Sequence, residues 1–203
     1  PKRDWSSDVC SSDLSDVIDW KNRSQTLDRL AAMRSWNAAF DHDGISQRLD
    51  AAMVSADFFS LFGVRAEAGR TFVPQEHSAQ GPAVIVISHT LWDKAFGLAS
   101  DVVGRTVLLD GRPFAIVGIM PQEFQYPPRQ ALWVPLESIP AAATEERSIR
   151  SVSAIGVMRS ATTLSQVRSE FDRISRALEE EFPASNRGIA TTVTPLADSL
   201  FGK

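Results

Sequence analysis

The chain has 203 residues, 43% of them hydrophobic, with 21 basic and 25 acidic residues and a net charge of −4. That is enough chain for one large domain or two small ones with an ordinary apolar core. The basic residues form no block, which excludes nucleic-acid binding through a basic patch; no apolar run approaches the roughly 18 residues of a membrane-spanning helix; and the single Cys10 excludes an internal disulfide.

The first fourteen residues, PKRDWSSDVCSSDL, are rich in Ser and Asp. They lack the apolar core of a signal peptide and show no strand or helix period. Residues 4–14 resemble the translated read-through of a sequencing adapter. Residues 1–14 are therefore set aside as an artefactual or disordered tail, and Cys10 goes with them. Residues 15–32 predict a helix. Val17, Ile18, Leu27, Leu30 and Ala31 fall on one face, with Trp20 beside it. Asp16 and Asp19 sit near its start, where the helix dipole favours negative charge. Residues 22–25 are a place where it can divide. Residues 33–40 alternate loosely, DHDG (41–44) is a turn, and residues 45–54 form a second strand, so the two make a hairpin.

Ser55 predicts the cap of a short helix over 56–62, with Asp57 in its first turn and Gly63 at its C′ position. Phe58, Phe59, Leu61 and Phe62 supply more apolar surface than one helical face can hide. Phe58, Phe59 and Phe62 are thus candidates for packing between lobes or at an interface, with ordinary core packing as the alternative. Residues 65–70 bend and residues 71–81 form a polar loop. The run 83–87 (AVIVI) reads as a strand buried on both faces. Ser88 caps the next helix, which carries Leu91, Trp92, Ala95 and Phe96 and stops at Gly97.

Residues 104–120 read GRTVLLDGRPFAIVGIM. Asp110-Gly111 between two apolar runs is the strongest short-range hairpin signal, because a type I′ turn needs positive φ at both central positions. Gly104 marks a tight entry and Gly118 a bulge. Residues 121–130 are Pro-rich and irregular. ALWVPL (131–136) is a short strand in which Pro135 suggests an edge position. Residues 140–150 are a polar link and the best domain boundary. A β-α-β unit follows: a strand over 152–158, a capping box of Thr163 with Gln166, an amphipathic helix built on Leu164, Val167, Phe171, Ile174, Leu178 and Phe182, a stop at 183–188, and a strand over 189–196.

Residue chemistry adds no catalytic residue, no metal ligand set and no cofactor-binding residue. His42, His77 and His89 stand in a turn, a loop and a helix start, without the spacing of a metal site. Strand–Ser88–helix superficially resembles the nucleophile elbow of a small secreted esterase. The elbow needs small flanking residues, however, and Val86 and Thr90 are β-branched, so the N-cap role accounts for Ser88. Glu179, Glu180 and Glu181 read as a solvated helix face. Trp20, Trp36, Trp92 and Trp133 read as core packing. No phosphate-binding glycine loop occurs.

Four blocks carry a resemblance: VSADFFSLFGVRAEAGRTF (54–72), VISHTLWDKAFG (86–97), VVGRTVLLDGRPFAIVGIMP (102–121) and LWVPL (132–136). In this order they resemble the extracytoplasmic core domain of MacB-like ABC transporter permeases, the MacB/FtsX group. The segment SDVIDWKNRSQTLDRLAAMR and the ending VTPLADSLFGK are similar to that group's flanks, so the resemblance covers residues 15–203. It implies an α+β fold in two lobes. A porter-like β-α-β lobe would be built from residues 15–70 and 150–203, with a mostly β lobe, 71–149, inserted between them. It also implies a bacterial inner-membrane protein with this domain facing the periplasm or cell exterior, non-catalytic and without cofactor. Its partners would be its own transmembrane helices, a cytoplasmic ATP-binding subunit or domain, a second permease in a dimer and a periplasmic adaptor. The expected function is coupling of ATP hydrolysis to export or mechanotransmission in the periplasm. Lipoprotein release and regulation of cell-wall hydrolases are the alternatives on the same scaffold.

Overall fold

The computed structural model describes residues 13–136 and 151–197 in full and residues 5–8 as backbone. It divides into two compact units, Pro1–Met33 with Thr144–Lys203, and Arg34–Ala143. The mixed helix-and-strand architecture agrees with the α+β expectation. The expected link at 140–150 lies outside the described residues.

In the first unit, α1 (Leu14–Arg23) starts at Asp13, whose Oδ1 accepts the Asp16 amide at 2.7 Å. It buries Val17 and Trp20, while Ile18 is exposed. The expected helix over 15–32 is therefore too long. It ends at Arg23, and Leu27 opens strand β2 (Leu27–His42). The override is tertiary: Leu27 to Met33 pair antiparallel with β9 (Ser153–Met158), a partner far along the chain that no local signal reports. After β9 comes α4 (Leu164–Glu181), opened by the capping box of Thr163 and Gln166 as expected. It buries Val167, Phe171, Ile174 and Leu178, and Trp20 sets its ring edge-to-face on Phe171 at 5.7 Å. A short α5 (Pro183–Asn186) and β10 (Val193–Pro195) close the unit; the last strand is shorter than the expected 189–196.

Strand β1 (Trp5–Asp8) lies between β10 and β9, antiparallel to both, where no strand was expected. Ladder pairing is made by main-chain groups, so this position accepts a segment without strand periodicity. The sheet order in this unit is β10-β1-β9-β2.

The second unit holds the rest of β2, β3 (Ile45–Val54), α2 (Phe58–Phe62), β4 (Ala68–Gly69), β5 (Val84–Ile87), α3 (His89–Phe96), β6 (Thr106–Leu109), β7 (Arg112–Ile119) and β8 (Leu132–Pro135). Its strands close on themselves. The order β2-β3-β8-β5-β7 is completed by β6, which pairs with both β7 and β2. The result is a small six-stranded barrel with β4 added at the far end of β7, and closure removes exposed strand edges. Phe40, Ile85, Ile87, Leu109, Phe114, Ile116 and Trp133 are fully buried in this unit.

Residues 34–70, expected in the first lobe up to residue 70, thus belong with the second unit: β2 from Arg34, β3 and β4 are all parts of this barrel or its extension. Pro135 is also corrected. β8 is central, flanked by β3 and β5, rather than an edge. Pro135 is tolerated because the β5 ladder involves only Leu132 and Trp133, so it sits beyond that pairing. The short helix starts at Phe58, later than expected, and Asp57 rather than Ser55 is its N-cap position; Gly63 ends it at φ 66° as predicted.

Asp110 and Gly111 take φ 47° and 76° and form the predicted turn between β6 and β7. The turn is also anchored outside its own hairpin. The Asp110 amide donates to the Ala39 carbonyl at 2.8 Å, and Asp110 Oδ1 accepts the Ala39 amide at 2.8 Å. Asp110→Pro removes the donor and cannot reach positive φ, so it is expected to destabilise the domain by about 2 kcal/mol in urea unfolding; an unchanged midpoint would show that the turn does not hold β6 to β2.

Glu76 lies within the polar loop and is buried, its carboxylate clamped by Arg70 at 2.7 and 2.9 Å and by the Val73 amide at 2.8 Å. Burial acts to raise its carboxyl, but these bonds outweigh burial and hold it below the ordinary range.

Candidate functional site

Ser88 ends β5 and begins α3. Its Oγ accepts the Leu91 amide at 3.1 Å, which confirms the N-cap role. His89, next in sequence, sets its ring against Trp92 at 5.5 Å, with Nε2 3.9 Å from Glu67 Oε2. Ser88 therefore has no base on its hydroxyl, and the elbow is absent in geometry as well as in sequence. Among the described residues no group of His, Cys, Asp or Glu could hold a metal ion.

Beside Ser88 the second unit opens a cavity of about 350 Å³. Four separate segments wall it. Helix α3 brings His89 and Leu91 from its start and Lys94 from its last turn; β3 brings Gln47 and Leu49; the loop after β7 brings Pro121, Gln122, Phe124 and Gln125; and the entry to β8 brings Arg129 and Gln130. Three of these side chains are basic, four are amides, and none is a carboxylate. The Gln130 Oε1 atom is buried and has no hydrogen-bond partner. Arg129 holds a left-handed φ of 71°.

Phe124 joins this cavity to an aromatic cluster. Its ring lies 5.4 Å from Phe62, 5.8 Å from Phe59 and 5.5 Å from Trp133. Phe58 meets Phe59 and Phe62 at 5.4 and 5.3 Å, and Phe62 meets Tyr126 at 5.0 Å. Burial pushes the Tyr126 hydroxyl up to about 12, so it stays protonated. Phe58 and Phe59 are buried. Phe58, Phe59 and Phe62, singled out in the sequence as packing candidates, are thus brought together, and the ring partners described here all lie within their own unit.

The sequence reading passed over Lys94, Arg129 and the glutamines. The acidic residues of these segments, Asp50, Asp93 and Glu123, do not line the cavity, so no local charge pattern marks it.

The fold is shared with solved periplasmic and extracellular domains of transporters. The periplasmic region of MacB from Actinobacillus actinomycetemcomitans superposes with a TM-score of 0.73 at 12% identity, over 98% of this chain and 94% of that one. The extracellular domain of the ABC-type transporter YknZ from Gram-positive bacteria gives 0.69 at 14%, over 90% and 89%. A domain of a putative permease protein from Porphyromonas gingivalis gives 0.67 at 13%, over 99% and 96%. Those TM-scores demonstrate a common fold. The chain belongs to the family of MacB-like periplasmic core domains, whose model matches residues 7–174. It is accordingly a periplasmic domain of an ABC transporter permease. The macrolide export ATP-binding/permease proteins MacB of Neisseria gonorrhoeae and of Neisseria meningitidis serogroup B are each 28% identical to it over 103 residues, 49% of this chain. The match spans 16% of the length of those relatives. Among the described residues no helix is long and apolar enough to cross a membrane.

Proposed function

We propose that this domain is the non-catalytic, force-transmitting part of an inner-membrane permease. Membrane helices flanking it in the complete protein would carry movement driven by a cytoplasmic ATP-binding subunit or domain, and the domain would convert that movement into export on the periplasmic face. A second permease copy and a periplasmic adaptor complete the proposed assembly. The observation that carries this reading is the family match across residues 7–174, which runs through parts of both units. The relatives named for export and ATP binding support the coupling. Physically, such a device needs bodies that keep their shape while they move. A closed barrel with a well-packed aromatic cluster meets that need.

The test uses the complete permease in membrane vesicles, with its ATP-binding partner. Replacing this domain by a short flexible linker is expected to leave membrane insertion and nucleotide binding intact and to abolish ATP-dependent efflux of a fluorescent export substrate. Efflux that survives the replacement would overturn the proposal.

A further inference from the structure

The cavity beside α3 lies along a stretch of β3 whose outer edge pairs with no strand. We infer that β3 accepts there an extended, acidic segment of a partner protein, added to this edge by main-chain hydrogen bonds. The assignment is independent of the transport reading.

Barrel closure stops short on β3. Its neighbours are β2 and β8, and β8 reaches only Ala51 to Val54. The phase of the β2 ladder fixes which groups face outward. Asp43 and Gly44, at φ 48° and 77°, form a two-residue turn between the two strands. Ile45 and every second residue after it therefore bond to β2, while Ser46, Arg48 and Asp50 turn their main-chain groups to the other side. Two sets of bonds agree with this phase. The Asp50 carbonyl accepts the Ala131 amide at 2.8 Å, and on the far side of β2 Ala39, opposite Arg48, bonds Asp110. Before Ala131 the chain leaves the ladder: Arg129 takes a left-handed φ of 71° and leads it away. Among the described residues no strand pairs with Ser46 or Arg48 on this side.

The cavity fills the space beside that edge. Gln47 and Leu49 of β3 stand along one wall, Leu91 and Lys94 of α3 along another, and Phe124 closes a third. A strand edge set against a helix across a groove is a geometry that binds extended peptides by strand addition. Arg48, the one charged residue of 45–49, does not cover the edge, because its Nη1 donates back to the Asn37 carbonyl on β2 at 3.1 Å. The stretch spans about 16 Å, which suits a segment of about five residues. Its outward groups bond any main chain, and Leu49, Leu91 and Phe124 offer apolar contact to one side chain of the segment. The charges choose among partners. Lys94 and Arg129 line the cavity and no carboxylate does, which favours acidic side chains, modestly because both cations are exposed. The same sign disfavours a second copy of β3, which would bring its own Arg48.

The probe is a fluorescein-labelled peptide, Glu-Val-Thr-Val-Glu, and its fluorescence polarisation with the chain is expected to saturate. The same peptide N-methylated at every residue has lost its main-chain donors and should bind about tenfold more weakly. The form with Lys in place of Glu should bind about threefold more weakly at low salt. Amide exchange followed by NMR locates the site: the peptide should slow the Ser46 and Arg48 amides about tenfold and leave those of Gln47 and Leu49, already bonded to β2, unchanged. Arg48→Pro deletes one outward donor at an edge position, where proline is tolerated, and should weaken binding about tenfold. Arg48→Ala keeps that N–H and should bind as wild type; matching thermal melts verify that both variants are folded, and the peptide series and the exchange data on the wild type decide the matter if the proline variant does not fold. Absence of saturable binding, equal binding of the N-methylated or the Lys peptide, unchanged exchange at Ser46 and Arg48, or equal binding by folded proline and alanine variants would each overturn the assignment. A chain that dimerises through this edge, its mass rising with concentration and falling when peptide is added, would overturn the choice of partner.

Discussion

Replacing Gly118 by alanine is expected to destabilise the domain by about 4 kcal/mol and to lower its melting temperature by roughly 10 °C or more. A Cβ built on Gly118 would stand 2.0 Å from the Arg70 carbonyl oxygen and 2.9 Å from the Arg70 carbonyl carbon. Both are main-chain atoms that no rotamer change can move. The opposite residue is constrained as well: Gly69 pairs with Gly118, has φ 70°, and its own Cβ would meet the Val117 oxygen at 2.3 Å. Two bare backbones cross here because β4 lies on β7, tied by the Arg70 amide to the Val117 carbonyl at 2.9 Å and the Glu67 amide to the Ile119 carbonyl at 2.8 Å. The same crossing sets Arg70 for its clamp on the buried Glu76. Relief of the clash therefore separates β4 from β7 or opens that ion pair. Gly111→Ala serves as the control, since a Cβ there meets nothing within 4 Å and costs only turn strain. The two variants are compared by thermal unfolding. Equal melting temperatures would show that the crossing is not a constraint.

Gly118 also marks where sequence reading succeeds and where it stops. Its presence inside an apolar run signalled a local irregularity, and the ladder between β5 and β7 does shift register next to it. What the glycine admits, the backbone at Arg70, lies nearly fifty residues away and leaves no local trace. The same division holds throughout. The Asp110-Gly111 turn, the Ser88 and Thr163 caps, the all-buried β5 and the stripe on α4 follow from period and capping, which act over a few residues. The switch from α1 to β2, the central place of Pro135 and the joining of β6 to β2 depend on partners far along the chain, so propensity misassigned or missed them. The candidate cavity was illegible for the same reason: Lys94, Arg129 and Gln130 are unremarkable singly and become a site only when four segments meet. The aromatic residues Phe58, Phe59 and Phe62 were legible as a group because three of five consecutive residues in a short helix exceed what one face can bury.

In the first unit, the residue whose loss is expected to matter most is Glu170, and Glu170→Ala should cost about 3 kcal/mol. It lies on the inward side of α4 and is 6% exposed. Its carboxylate receives the turn that converts α1 into β2: the Gln25 amide donates at 2.9 Å, the Thr26 amide at 3.0 Å, the Ser24 hydroxyl at 2.8 Å, and the Thr26 hydroxyl completes the set. Alanine leaves two main-chain donors and two hydroxyls facing a void, and the exposed Arg173, 3.7 Å from Oε1, cannot replace an acceptor. Burial acts to raise the Glu170 carboxyl, but the bonds from Thr26, Gln25 and Ser24 outweigh it and hold the group below its ordinary value of 4.5. A carboxyl depressed in the folded state contributes stability that is complete above its unfolded value and is lost as pH falls through the folded one. The wild-type unit should therefore lose stability progressively below about pH 4.5. Glu170→Gln keeps the shape and removes the titration, so its stability should start lower at pH 7 and depend less on pH through that range. Glu76 carries the same sign in the second unit, so the comparison is made on a probe of the first, the Trp20 fluorescence against Phe171, with Trp5, Trp36, Trp92 and Trp133 replaced by Phe in both proteins. Parallel pH profiles for the glutamate and glutamine forms would mean that this carboxylate does not hold the helix-to-strand turn.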